Sequence, residues 1–125
     1  MPASAFGVLL RYLREERRFS LRELGQFAEV DHAYIYCLET GRKESPSEDM
    51  VTRLIKVLKP GAREEQMLRF LAKNADADPQ LTDYVLKEPT VPFHQFATAA
   101  GVRFRGNARP DPKTLIKRVR EMLKE

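Results

Sequence analysis

Few residues of this 125-residue chain carry side chains suited to catalysis or metal binding. They are the single cysteine, Cys37, and two histidines, His32 and His94, which lie far apart in the sequence. A catalytic site needs a nucleophile beside a base, or clustered carboxylates and histidines, and a zinc site needs several converging ligands. We therefore expect no enzymatic activity, no cofactor and no metal site, and we interpret Cys37 as an inert thiol.

The charged side chains remain, and they are suited to binding a partner of opposite charge. The chain has 22 Lys and Arg against 18 Asp and Glu, a formal net charge of +4, which by itself favours a polyanionic partner only weakly. In the tail, a group of cations is opposed only by Asp111: Arg103, Arg105, Arg109, Lys113, Lys117, Arg118 and Arg120. The tail is therefore locally basic.

The hydrophobic pattern predicts that an all-α fold positions these residues. Apolar residues recur at helical spacing in five segments of residues 1–75, and no segment has the alternation of a strand. Ser20, Asp31 and Ser47 are expected to cap the second, third and fourth helices, and Gly41 to end the third. Glu23 lies three residues after Ser20, which is the spacing of a capping box.

A polar segment at residues 74–79 predicts a boundary between a domain of residues 1–75 and a tail of residues 76–125. In the tail we expect short helices near 80–87 and 92–100, and a last helix over about 112–124.

The last helix has an apolar seam formed by Leu115, Val119 and Met122. Two interpretations stay open. The seam is either a homodimer interface, as in regulators that bind a two-fold operator, or the face that packs onto the chain's own domain.

The third predicted helix is the best candidate for binding. Ile35 and Leu38 are expected in the core, which leaves an exposed side made of Asp31, His32, Ala33, Tyr36 and Cys37. A helix of about nine residues held by two others is rigid enough to lie in the major groove of DNA. This exposed side has no Arg, Lys, Gln or Asn, the usual readers of guanine and adenine.

The order and spacing of these residues resemble the phage-repressor-like helix-turn-helix family of the xenobiotic-response-element type. The resemblance covers residues 6 to about 72, and the pattern that carries it is Leu10-x-x-Leu13-Arg14, Ser20-Leu21-x-Glu23-Leu24, Val30, Ile35-x-x-Leu38-Glu39-x-Gly41 and Pro46-Ser47. It implies a five-helix domain that binds double-stranded DNA and regulates transcription.

The resemblance also implies roles for individual residues. The candidate DNA-binding residues are Ser20, Arg22, His32, Ala33, Tyr36, Cys37, Arg42 and Lys43. Those of the third helix would read bases, the first turn of the second helix would bind a phosphate, and the three cations would neutralise phosphates. Arg14 and Glu39 would form an ion pair between the first and third helices.

Three positions depart from the family pattern. Arg18 and Glu29 stand where members usually carry glycine, and Leu21 stands where a glutamine usually opens the second helix. A left-handed backbone costs energy at a residue other than glycine, and Leu21 cannot hydrogen-bond to DNA.

The tail resembles the helical C-terminal part of a group of bacterial stress-response repressors. The matching elements are Asp78-Pro79, Leu81, Phe96 and the run Arg103-Phe104-Arg105-Gly106-Asn107-Ala108-Arg109-Pro110. This resemblance implies a metallopeptidase partner that cuts near Phe104-Arg105 and abolishes dimerisation.

These observations predict a dimeric repressor that acts by occupying an operator. The start of the chain has no basic region before an apolar stretch, and a single cysteine suits a reducing compartment, so we expect a cytoplasmic protein without a membrane span. The main alternative is a protein-interaction module, an antitoxin or anti-activator, with weak or no DNA binding. Salt-dependent DNA affinity distinguishes the two.

Overall fold

The computed structural model describes residues 3–43, 45–102 and 109–124, and within these ranges all regular structure is helical. The helices are α1 (Ala5–Glu16), α2 (Leu21–Ala28), α3 (His32–Glu39), α4 (Glu48–Leu58), α5 (Ala62–Lys73), α6 (Pro79–Leu86), α7 (Phe93–Gly101) and α8 (Pro112–Met122). The all-α prediction is confirmed, and each predicted helix is present close to its expected bounds.

Short polar side chains begin the helices where the sequence predicts them. The Ser20 Oγ accepts a hydrogen bond from the Glu23 N–H at 3.0 Å, and the Glu23 carboxylate accepts one from the Ser20 N–H at 2.9 Å. The capping box of α2 is therefore complete. The side chains of Asp31 and Ser47 cap α3 and α4 by accepting single hydrogen bonds from the N–H groups of Ala33 and Met50. These bonds satisfy N–H groups that a helix start otherwise leaves unpaired.

Two of the departures from the family pattern adopt the backbone conformation that glycine adopts most easily. Arg18, after α1, and Glu29, between α2 and α3, both have a φ of 57°. A non-glycine residue in this left-handed region costs roughly 1–2 kcal/mol. Arg53 of α4 donates a hydrogen bond to the carbonyl of Glu29 and so ties the strained turn to α4.

One apolar core extends from α1 to α8. Leu9 and Leu10 of α1 are fully buried, and α1 packs against α3, α5 and α6. Leu81 and Val85 on the inner face of α6 belong to the same cluster of buried residues. The helix α1 is therefore shared between the first half of the chain and the tail.

The predicted boundary at residues 74–79 is the connection between α5 and α6, but the core continues across it. Arg63 of α5 donates hydrogen bonds of 2.9 and 2.8 Å to two backbone carbonyls of the α6–α7 connection. Phe70 of α5 makes edge-to-face contacts with Phe93 and Phe96 of α7, with ring centroids 5.8 Å apart in each pair. The tail thus packs onto the first half of the chain.

Two of the three residues of the predicted α8 seam face the inside of this chain. Leu115 and Val119 are 6% and 2% exposed and belong to the shared core, where α8 packs against α6 and α7. Met122 is 64% exposed. Leu115 and Val119 are therefore not available for a dimer seam in this structure, because α8 buries its apolar face within its own chain.

Candidate nucleic-acid interface

The helices α2 and α3 form a unit with a tight turn between them. The Val30 N–H donates a hydrogen bond of 2.9 Å to the Gly25 carbonyl and closes the turn through Glu29. A Cβ atom at Gly25 would lie 2.7 Å from the Val30 carbonyl oxygen and 3.1 Å from the His32 nitrogen. The two helices therefore approach each other as closely as their backbones allow, which sets the angle of α3 relative to α2.

A buried ion pair fixes α3 against α1. The Arg14 guanidinium donates to both carboxylate oxygens of Glu39, at 2.7 and 3.0 Å, and to the Phe19 carbonyl at 2.9 Å. The side chains of Arg14 and Glu39 are 13% and 5% exposed. The hydrogen bond to Glu39 raises the pKa of Arg14 above its ordinary value, against the effect of burial. The ion pair implied by the family resemblance is present.

The inner side of α3 packs into the core, as the sequence predicts. Ile35 and Leu38 are buried. On the opposite side His32, Ala33 and Tyr36 are exposed, and Tyr36 is 44% exposed. The structure therefore brings these three predicted base readers together on one outward face.

The structure places Cys37 differently from the other candidates on α3. Its side chain is half-buried, and its carbonyl accepts hydrogen bonds from the N–H groups of Arg42 and Lys43 at 2.9 and 3.2 Å. Cys37 therefore contributes less surface to the outward face than the sequence analysis expects, because the chain folds back onto the end of α3.

The two cations after α3, Arg42 and Lys43, are exposed, and Lys43 lines a pocket together with Ser4 and Leu71. The Arg42 guanidinium lies 5.8 Å from the centre of the Tyr36 ring, within the range of a cation–π contact. Such a contact holds Arg42 beside the face of α3 without removing its charge.

A residue that the sequence analysis missed lines the same surface. Arg22 and Gln26 are exposed one helical turn apart on α2, and together with His32 they line a shallow groove at the turn between the helices. The signal was the spacing of four residues between Arg22 and Gln26, which places them on one side of a helix. Gln26 supplies an amide that both donates and accepts hydrogen bonds.

The start of α2 differs from the expected phosphate site in one respect. Ser20 is exposed, but its backbone N–H and that of Glu23 are bonded within the capping box. An anion at this end of α2 would therefore be bound by the N–H groups of other residues or by the Arg22 side chain.

Acidic residues adjoin the candidate surface. Glu29 and Asp31 line the same shallow groove as Arg22, and both are exposed. Because they oppose the attraction of Arg22, Arg42 and Lys43 for phosphate, the surface is electrostatically mixed rather than strongly positive.

Three further findings concern the described part of the chain. No group of three or more His, Cys, Asp or Glu residues lies close enough there to hold a metal ion. None of its helices combines the length and the apolar character that crossing a bilayer requires. The predicted peptidase site at Phe104-Arg105 lies outside the described residues.

A protein-family model matches the first half of the chain. Residues 5–67 match a family model described as "Helix-turn-helix domain". The match runs from the start of α1 into α5 and includes the α2–turn–α3 unit and the Arg14–Glu39 pair. Among curated proteins, none matches this chain.

Proposed function

Because this chain belongs to the helix-turn-helix domain family of DNA-binding regulators, we propose that it recognises a specific duplex sequence and represses transcription as a dimer. The observation that carries the proposal is the outward face of α3. It presents His32, Ala33 and Tyr36 on a helix that the Arg14–Glu39 pair holds against α1. Because α3 is already held in place, it can enter the major groove without losing further conformational entropy on binding.

The side chains of this face suggest what they recognise. Ala33 and Tyr36 offer a methyl group and an aromatic ring, which suit contact with the methyl group of thymine better than a bidentate bond to guanine. His32 and Gln26, at the edge of α3 and on α2, supply the hydrogen-bonding groups. We therefore infer a preference for sites with thymine at the positions facing α3.

Removing Arg42 and Lys43 together, in the variant Arg42→Ala/Lys43→Ala, is expected to weaken binding to random-sequence duplex DNA. Each lost phosphate contact lowers the steepness of log K against log salt by about 0.9, so the double variant loses about 2 units of slope. Fluorescence anisotropy across a salt series measures this.

The matched control is Lys73→Ala/Lys87→Ala, which removes the same charge from α5 and from the end of α6. These lysines pair with Glu48 and Asp83 on the protein surface. The docking proposal fails if both double variants lower the slope equally, since the effect would then come from net charge alone.

The dimeric state is a further part of the proposal. Of the residues predicted for the seam, Met122 is exposed, and Leu123 beside it is 38% exposed, so a dimer contact that uses α8 would involve the end of this helix. Sedimentation equilibrium is expected to give twice the chain mass of 14.4 kDa at micromolar concentration. A constant mass of one chain up to high concentration contradicts the dimer.

One observation favours the alternative function of a protein-interaction module. Phe27 of α2 is 55% exposed, and its ring packs in a tilted arrangement against that of Phe19, with centroids 5.2 Å apart. Phe19 is partly buried, so Phe27 is the exposed member of the pair, and an exposed aromatic side chain suits a protein partner. DNA binding that is absent even at low salt would favour this function.

The regulatory peptidase stays a proposal that rests on the tail resemblance. A cut near Phe104-Arg105 would fall between α7 and α8, whose apolar faces are packed together. Incubation with a cognate metallopeptidase, followed by mass spectrometry, tests the site. An intact connection between α7 and α8 after prolonged incubation would contradict it.

A further inference from the structure

The outward side of α8 carries a regular stripe of positive charge. Lys113, Lys117 and Arg120 of α8 and Lys124, two residues past its end, are here called the α8 stripe; they follow one another at spacings of four, three and four residues, and all four are exposed. Residues at these spacings share one side of a helix. With a rise of 1.5 Å per residue, the stripe is about 16 Å long.

The packing of α8 fixes the direction of the stripe. Leu115 and Val119 are buried on another side of the helix, and Ile116, which lies at helical spacing from both Lys113 and Arg120, is buried at the edge of the stripe. The Arg120 guanidinium also donates hydrogen bonds to the Gln95 side chain at 2.9 Å and to the Thr90 carbonyl at 3.3 Å. The stripe is therefore held outward, whereas the sequence alone allowed α8 to turn its apolar face to a partner.

Positive charge exceeds negative charge around the stripe, although Glu121 lies four residues after Lys117 and Asp111 lies two before Lys113. Residues 109–124 contain six Lys or Arg and two Asp or Glu, and residues 89–102, which include the neighbouring α7, contain none of these four types. In the described part of the chain, no carboxylate forms an ion pair with Lys113, Lys117 or Lys124. The lysines Lys73 and Lys87, by contrast, are paired with acidic side chains.

The first three helices lack a comparable excess of charge. Residues 5–43 contain seven Lys or Arg and six Asp or Glu, and Arg14 is neutralised by Glu39. Neutralisation of phosphates supplies most of the sequence-independent affinity of DNA-binding proteins. The first three helices therefore have little positive charge to spare for phosphates.

We propose that the α8 stripe is a second DNA-binding surface, outside the helix-turn-helix unit, which binds the phosphate backbone of duplex DNA. The proposal rests on the proposed function only in taking duplex DNA as the polyanion. A membrane surface fits less well, because a helix that lies on a bilayer inserts an exposed apolar face, and the apolar face of α8 is buried. The side chains of the stripe are exposed and suited to contact phosphates rather than base edges. The stripe therefore contributes affinity without sequence preference.

The test compares two triple variants of the full chain. The first is Lys113→Gln/Lys117→Gln/Lys124→Gln, which spares Arg120 because that residue also joins α8 to the α6–α7 connection and α7. The control is Lys56→Gln/Lys73→Gln/Lys87→Gln, which removes the same charge from exposed lysines of α4, α5 and the end of α6. Circular dichroism verifies that both variants keep the helical content of the parent chain.

Anisotropy with random-sequence duplex DNA across a salt series gives the result. The α8 variant is expected to bind about 10- to 100-fold more weakly at low salt and to lose about 2 to 3 units of slope, while the control changes little. Discrimination between a preferred and a random sequence is expected to stay the same. Equal behaviour of the two triple variants overturns the proposal.

Further outcomes separate this inference from the proposed function. If only Arg42→Ala/Lys43→Ala weakens binding, the α8 proposal fails and groove docking stands. If only the α8 variant weakens binding, groove docking fails and the α8 proposal stands, and if the parent chain binds no DNA, both fail. Binding to phosphatidylserine vesicles that the α8 variant loses, with unchanged DNA affinity, assigns the stripe to a membrane and overturns the proposal.

Discussion

Glu39→Ala is expected to lower the free energy of unfolding by about 3–5 kcal/mol, the usual cost of removing one partner from a buried ion pair. The change leaves the Arg14 guanidinium, 13% exposed, without the carboxylate that accepts two of its hydrogen bonds. An unpaired charge in a low-dielectric site costs more than the pair contributes. Urea unfolding followed by circular dichroism measures the loss.

The control replaces both charges with apolar side chains. The double variant Arg14→Met/Glu39→Leu removes the pair without leaving either charge unpaired, and it is expected to recover most of the stability lost in Glu39→Ala. A loss below about 1 kcal/mol in Glu39→Ala, the range of an exposed ion pair, would contradict the view that this pair fixes α3 against α1.

Gly7→Ala is expected to destabilise the protein by about 1–3 kcal/mol, although alanine is the better helix former by about 1 kcal/mol. A Cβ atom at Gly7 would lie 2.6 Å from the carbonyl oxygens of both Leu38 and Glu39. Both are backbone atoms of α3, so neither can rotate away. The helices α1 and α3 must then separate, and urea unfolding measures the cost.

Gly101, in the last turn of α7, supplies the matched control. A Cβ atom there has no heavy atom within 4 Å in the described structure, so Gly101→Ala is expected to leave stability unchanged or to raise it by up to about 1 kcal/mol. If Gly7→Ala raises stability as Gly101→Ala does, α1 and α3 do not cross as closely as the structure has them.

These two predictions concern the same contact between α1 and α3. Gly7 permits the close approach near the start of α1, and the Arg14–Glu39 pair closes it near the end of α1; both contacts are made to the C-terminal end of α3. Because the two sites share one interface, we expect their effects on stability to be non-additive when they are combined. Either change is also expected to weaken DNA binding, since α3 presents the proposed base readers.

Local sequence determined where the helices begin and end. The capping box of Ser20 and Glu23 and the cap of Asp31 are bonds between residues two or three apart, so the sequence states both partners. The exposed face of α3 followed from helical spacing, because Ile35 and Leu38 lie on the side opposite to Ala33 and Tyr36. The pairing of Arg14 with Glu39 spans 25 residues and came only from the family resemblance.

Other features depend on contacts between residues distant in the sequence. Nothing in the sequence indicates that Gly7 lies at a close helix contact, because the carbonyl groups that it approaches are over thirty residues away in the chain. The half-burial of Cys37 and the groove shared by Gln26 and His32 likewise depend on how neighbouring segments fold back. Periodicity assigns such residues to a side of a helix, but it does not state what lies beside them.

The tail shows most clearly which features the sequence determines and which only the tertiary structure decides. The sequence by itself determined that α8 has an apolar side with Leu115 and Val119 and a basic side with Lys113 and Lys117. It did not determine whether the apolar side meets a second chain or its own, because burial of the same apolar area is favourable in either case. Only the tertiary structure decided this, since α6 and α7 offer an apolar surface that α8 covers, and the basic side therefore faces outward.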